Sequence, residues 1–170
     1  MQASIQKITP FLWFDNQAEE AVNFYISIFA HSGIQVITRY GKEGAEASGR
    51  PAGTVMTVEF RLAGQEFIAL NGGPYFKFTE AISFVVNCES QEEIDHCWGK
   101  LSEGGDAEAQ QCGWLKDRYG LSWQIVPRAL GELLADPDPE KSGRVMQAML
   151  QMKKIEIATL KKASAEPGMA

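Results

Sequence analysis

The chain is written twice. Glu19-Glu20-Ala21-Val22-Asn23-Phe24-Tyr25 returns as Glu92-Glu93-Ile94-Asp95-His96-Cys97-Trp98. The same shift carries Ile8 to Ala81, Phe11 to Phe84 and Trp13 to Val86. Each copy therefore reads as a strand followed by a helix. Two similar units are expected about a pseudo-two-fold axis, with a site between them, and this limits the fold more than any single residue does.

In the first copy the aromatic run from Ile8 to Phe14 suits a buried strand. Asp15 and Asn16 offer N-cap oxygens, with Glu19 three residues after Asn16. Ala21, Phe24, Tyr25 and Ile28 then form an apolar helical stripe that Gly33 closes. Ile34 to Tyr40 reads as a second strand. Gly41 to Gly53, with four glycines, a proline and several charges, reads as an exposed loop. Thr54 to Leu62 and Glu66 to Asn71 form a hairpin through Ala63-Gly64, and Asn71-Gly72-Gly73-Pro74 ends the unit.

The second copy runs from Ala81-Ile82-Ser83-Phe84-Val85-Val86 into Ser90-Gln91-Glu92-Glu93, a capping-box pattern. Ile94, Cys97, Trp98 and Leu101 give its helical stripe, and Gly104-Gly105 stops it. Ala107 to Cys112 and Trp114 to Lys116 are short strands, Asp117 to Gly120 a turn, and Leu121 to Val126 the last strand. The final strands align at a smaller shift, with Ile68-Ala69-Leu70 on Trp123-Gln124-Ile125. The first copy thus carries extra sequence, mostly around Gly41 to Gly53. Beyond Pro127 lies a helical tail, with Asp138 as N-cap and Pro139 at the first helical position. Its stripe of Val145, Met149, Met152, Ile155 and Leu160 suits either a dimer surface or packing across the two units.

A formal net charge of −6 without basic clusters argues against nucleic acid or anionic membrane as partner. No apolar run approaches the roughly 18 residues of a membrane span, and the stretch Met1 to Lys7 lacks a signal-peptide profile. Cys88, Cys97 and Cys112 show no CxxC spacing, which fits reduced thiols in a cytoplasm. The expectation is one cytoplasmic domain over residues 1–170, with repeats at about 5–73 and 79–127 and a tail at about 128–163.

The βαβββ unit occurring twice, with Phe24-Tyr25 in its first helix, resembles the vicinal oxygen chelate superfamily, which includes glyoxalase-like proteins. More specific are Phe11-Leu12-Trp13-Phe14-Asp15, Ala18-Glu19-Glu20-Ala21, Gly113-Trp114-Leu115-Lys116-Asp117, Tyr119 to Pro127 and Arg144 to Leu150. Together they are similar to the PhnB-like branch, often labelled 3-demethylubiquinone-9 3-methyltransferase. The resemblance implies an α+β fold in which two cupped mixed sheets carry helices on the convex face and hold a ligand in the hollow. A homodimer is expected as well.

Metal-using relatives bind their ion through donors at positions that match Ile8, Ala69, Ala81 and Gln124. Three of these have no donor atom in the side chain, so no metal and no other cofactor is expected. His31 and His96 lack ligand spacing. Ser83, Ser122, Asn71 and Gln124 share strand parity with the matched positions and are expected to orient a small organic ligand, with Trp114 and Phe14 as walls. They could instead bond one another in a filled core. Trp13 and Trp123 take the opposite parity and read as core. Gly41-Lys42-Glu43-Gly44 and Asn71-Gly72-Gly73-Pro74 are not read as following a strand and opening a helix, so no S-adenosylmethionine fingerprint is expected. The leading expectation is a metal-free binding protein. The alternatives are an enzyme on a small oxygenated substrate, with Glu59, Asp117 or Cys112 as acid–base or nucleophilic candidates, the labelled methyltransferase, and a scaffold whose cavity is filled by its own side chains.

Overall fold

A computed structural model describes residues 5–165. Residues 1–4, part of the stretch read for a signal peptide, and 166–170 lie outside it. The chain divides into two compact units, one ending at Lys77 and the other beginning at Phe78. The fold is α+β, with one four-stranded mixed sheet in each unit.

The first sheet has the order β1 (Phe11–Phe14), β4 (Gln65–Asn71), β3 (Val55–Leu62), β2 (Gly33–Arg39). β1 runs parallel to β4, and the other pairs are antiparallel. Strand alternation puts Leu12, Phe14, Val58, Phe60, Phe67 and Ala69 on one buried face. Helix α1 (Ala18–Ile26) lies on that face through Ala18, Ala21, Val22 and Tyr25, all fully buried. Each large apolar side chain so buried contributes about 1.5–3 kcal/mol before entropy is counted.

Local chemistry departs from expectation at both ends of α1. Neither Asp15 nor Asn16 caps it; its N-cap is Gln17, without a side-chain bond. The Ala18 N–H donates instead to Oδ1 of Asn71, 2.8 Å away at the end of β4. The helix also stops at Ile26, well before Gly33, which opens β2. The segment from Gly41 to Gly53 is not all loop, because Lys42–Ser48 forms a short helix α2 with no buried residue. Its helix formers, Lys42, Glu43, Ala45, Glu46 and Ala47, outweigh the glycine signal.

The second sheet repeats the order as β5 (Ser83–Cys88), β8 (Ser122–Pro127), β7 (Trp114–Lys116), β6 (Asp106–Gln111). Again the first pair is parallel. Helix α3 (Gln91–Leu101) buries Ile94, Cys97 and Leu101. Ser90 caps it by accepting from the Glu93 N–H, while the Glu93 carboxylate accepts from the Glu89 N–H rather than from Ser90.

The tail forms α4 (Arg128–Leu134), α5 (Pro139–Leu150) and α6 (Ile157–Ala165). Asp138 caps α5 and Pro139 begins it, as the sequence predicts. Leu130, Val145, Ile155 and Leu160 close into a core of their own, with Met149, Met152 and Val126 packed against it. This core belongs to the second unit. Gln91 ties it to α3 by accepting from the Ile157 N–H and donating to the Ile155 carbonyl.

Candidate functional site

Strand pairing assigns every candidate side chain to a face. In the second sheet Phe84, Trp123 and Ile125 lie on the face toward α3, so Ser83, Val85, Ser122 and Gln124 lie on the other, the open face. β8 is central there. Ser122 sits between Ser83 of β5 and Lys116 of β7, and Gln124 sits between Val85 and Trp114. Such neighbours stand roughly 4.5–5.5 Å apart. Ser83, Ser122 and Gln124 are therefore brought together, as their parity predicts, and Trp114 joins them.

Within this patch the Gln124 amide Nε2 donates to the Ser83 hydroxyl at 2.9 Å. Ser122 is buried, at 1% exposure, and its hydroxyl has no hydrogen-bond partner among the described residues. A buried hydroxyl left unsatisfied costs about 1–3 kcal/mol. Lys116 pairs with Glu80, and that ammonium holds the Glu80 carboxyl below its ordinary range. Val126, further along the same face, packs against the tail core.

Phe14 and Asn71 do not join this group. Phe14 is 3% exposed and shares its face with Leu12, toward α1. Asn71 shares the face of Ala69, and its amide is occupied by the Ala18 N–H and the Val55 carbonyl. The cause is a one-residue slip. Register places Leu12 beside Ala69 and Phe84 beside Trp123. Leu12 thus shares the helix-facing side with Phe84, and Ala69 with Trp123, so each pair is out of phase with the alignment read from sequence. A shift of one exchanges the faces of a strand. Trp13 accordingly lies on the open face of the first sheet rather than in the core. Its indole N–H donates to the Gly73 carbonyl at 2.9 Å, and its ring meets Phe76 edge-on with centroids 4.9 Å apart. Trp123 is core, as expected.

In the first sheet the residues of β4 on the corresponding face are Glu66, Ile68 and Leu70, and Glu66 is paired with Arg61. Ala69 faces the helix and is fully buried. The positions matched from sequence, Ile8, Ala69, Ala81 and Gln124, supply one side-chain donor, Gln124, a set too small for a divalent ion. Among the described residues no group of three His, Cys, Asp or Glu stands in ligating array.

The enzyme candidates sit on different elements. Asp117 is 2% exposed, and its carboxylate accepts from the Tyr119 and Leu121 N–H groups and the Trp123 indole. It is a structural acceptor at the β7–β8 turn. Glu59 is half-buried on β3, in the other unit. Cys112 makes the β6–β7 turn with φ of +52°, and its N–H donates to the Met152 carbonyl. Cys88 and Cys97 are buried; the Cys88 thiol donates to the Val86 carbonyl at 3.7 Å, and the neighbouring Cys97 thiol together with burial pushes the Cys88 thiol up. His31 sits in a turn with φ of +54°, and His96 lies on α3.

Gly41 follows β2 and does open helix α2, contrary to expectation. Topology still excludes a nucleotide-type turn there, because β2 is an edge strand paired only antiparallel to β3. No helix among the described residues is long and apolar enough to cross a membrane.

The family model described as 3-demethylubiquinone-9 3-methyltransferase matches residues 6–126. A PhnB protein from Bacillus cereus, solved under the same designation, is 42% identical with a TM-score of 0.63, over 72% of this chain and 99% of its own. A protein from Pseudomonas aeruginosa is 22% identical with a TM-score of 0.57, over 73% of this chain and 98% of its own. A glyoxylase/bleomycin resistance protein/dioxygenase domain from Frankia sp. matches at 14% identity and a TM-score of 0.47, over 73% of this chain and 93% of its own. No curated protein matches. The resemblance read from the Phe11–Asp15, Phe24-Tyr25 and Gly113–Asp117 motifs holds, and the chain belongs to the PhnB-like family described as 3-demethylubiquinone-9 3-methyltransferase.

Proposed function

We propose that this protein binds a small organic molecule bearing a carbonyl, amide or hydroxyl group, without a metal, on the open face of the second sheet. Ser83, Ser122 and Gln124 orient the ligand and Trp114 supplies an apolar wall. The observation that carries this reading is the buried Ser122 hydroxyl, which lacks a partner in a patch otherwise hydrogen-bonded to itself. A ligand oxygen or nitrogen beside Ser122 and Gln124 satisfies it. The working form is a homodimer in the cytoplasm, which agrees with exposed apolar side chains at Phe11, Ile82 and Val85 on edge strands or beside them.

Mass spectrometry of small molecules that co-purify with the native protein identifies the ligand. Ser122→Ala then separates ligand binding from fold. With no ligand it should leave stability unchanged or slightly raised, because an unsatisfied hydroxyl is removed, while ligand affinity falls about fivefold or more. Unchanged affinity in both Ser122→Ala and Gln124→Ala refutes the site.

Methyl transfer is the second reading, carried by the family description. Saturable heat on titration with S-adenosylmethionine would favour it over simple binding.

A further inference from the structure

The two units differ most between their outer strands. In the second, Cys112 and Gly113 alone join β6 to β7, whereas Tyr40 to Thr54 join β2 to β3. This insert is fastened at several points. The Tyr40 hydroxyl donates to the Asn71 carbonyl at 2.6 Å, and the Tyr40 N–H donates to the Thr54 carbonyl at 2.9 Å. Gly49, with φ of +71°, ends α2 in the left-handed region and turns the chain toward Arg50. The Arg50 guanidinium donates to the Asp15 carbonyl and lies 3.5 Å from the Asp15 carboxylate.

Fastened in this way, the insert walls a cavity of about 440 Å³, lined by Asn16, Glu19, Arg50, Pro51, Thr54, Val55 and Asn71. That volume is within the ordinary range for a small-ligand pocket, about 300–1,000 Å³. It lies wholly in the first unit. Its charges are of both signs. Arg50 is largely buried, with 19% of its side chain exposed, and its contacts with Asp15 leave several of its five N–H donors to spare. Glu19 lines the same cavity, and its carboxylate makes no hydrogen bond or ion pair among the described residues. The two opposite charges share a cavity without meeting, with the apolar faces of Pro51 and Val55 also on its wall.

We infer that this cavity is a binding site for a small zwitterion of the amino-acid type, separate from the patch on the second sheet. The ligand carboxylate pairs with Arg50, its ammonium with Glu19, and a short apolar side chain rests on Pro51 and Val55. A guanidinium–carboxylate pair in a partly buried pocket is a strong and directional contact.

Three probes test the assignment on 15N-labelled full-length protein: L-valine, isovalerate, which lacks the ammonium, and isobutylamine, which lacks the carboxylate. L-valine should shift the amide signals of Glu19, Arg50 and Val55 saturably, and each half-molecule should bind about tenfold more weakly or worse. Glu19→Gln is the milder variant, since that carboxylate makes no hydrogen bond or ion pair among the described residues and its other role is a first-turn charge on α1. It should lower valine affinity about tenfold with the melting midpoint lowered by no more than about 4 °C, and leave isovalerate binding as it was. Arg50→Gln should abolish binding of both acids. No saturable shift with valine up to about 10 mM, or isovalerate binding as tightly as valine, overturns the inference. Neither result bears on Ser122 or Gln124, which lie in the other unit.

Discussion

Asp117→Asn is the substitution that most directly tests how the second sheet holds its open face in place. Oδ1 of Asp117 accepts from the Tyr119 N–H at 2.8 Å and the Leu121 N–H at 3.0 Å, and Oδ2 accepts from the Trp123 indole at 2.9 Å. Asn keeps one oxygen for the two backbone donors but turns an NH2 toward the indole N–H. Two donors then face each other at a site only 2% exposed. Losing a hydrogen bond to a charged group costs about 1.5–3 kcal/mol, and the stranded donors add further cost. We expect about 3 kcal/mol of destabilisation, which for a chain of this length lowers the melting midpoint by roughly 6–12 °C. Urea denaturation followed by tryptophan fluorescence and circular dichroism measures it.

Trp123→Phe supplies the second arm of the experiment. Alone, it removes the indole donor and trims a core ring whose centroid lies 5.6 Å from that of Phe84. In the Asp117→Asn background it also removes the donor–donor conflict. The two costs should therefore combine to at least about 1 kcal/mol less than their sum. A loss under about 0.5 kcal/mol for Asp117→Asn, or costs that add within about 0.5 kcal/mol, refutes the reasoning.

Gly72→Ala should destabilise the first unit by about 1–3 kcal/mol, because a Cβ there would stand 2.3 Å from the Trp13 ring; calorimetry reads it, and a neutral result would mean the ring moves freely. Gln91→Ala removes the acceptor of the Ile157 N–H and the donor to Ile155, so amide exchange in α6 should quicken about tenfold while α1 is unaffected. The Lys154 ammonium, then the Gln91 amide, hold Asp95 below its usual range, while Asp95 first and Glu156 next hold Lys154 above its own. The Asp95 contribution is present above about pH 4 and fades as pH falls through the lowered value; that of Lys154 is complete below about pH 10 and fades as pH rises through the raised one. Both side chains are substantially exposed, so Asp95→Asn should cost less than about 1 kcal/mol; it should remove the acid limb of exchange measured at Cys112 and Gly113 and shrink the alkaline limb to the part that Glu156 supports.

The repeat, the succession of strands and helix along each unit and the α5 cap are legible because they rest on local signals: strand-then-helix patterning, Ala63-Gly64 as a turn, Asp138-Pro139 as a helix start. The faces of the first sheet are not. Phe11, Trp13 and Phe14 are all large and aromatic, so alternation along β1 carries no polarity contrast. The offset that relates the two helices then runs one residue out of phase when it is carried into the strands. β5 and β8 do alternate in size and polarity, which is why Ser83, Ser122 and Gln124 group correctly from sequence. The cap of α1 is hidden for another reason. Asn71 stands 53 residues from the N–H it satisfies, and only the parallel pairing of β1 with β4 brings the two together.

That last contact also explains why Asn71 reads as a ligand residue. A buried amide at the end of a central strand has the same sequence signature whether it meets a substrate or a helix. Here Asn71 joins three elements at one point, through Ala18 on α1, Val55 on β3 and, by its carbonyl, the Tyr40 hydroxyl. In the second unit the helix is capped by its own Ser90, so no side chain of the central strand is drawn to that task. Gln124 and Ser122 are left on the opposite face, the first bonded to Ser83 and the second to no described partner. The duplicated framework thus uses its central-strand amide for the fold in the first copy and leaves Ser122 and Gln124 without that duty in the second, which is a physical reason to test the proposed ligand on the second sheet.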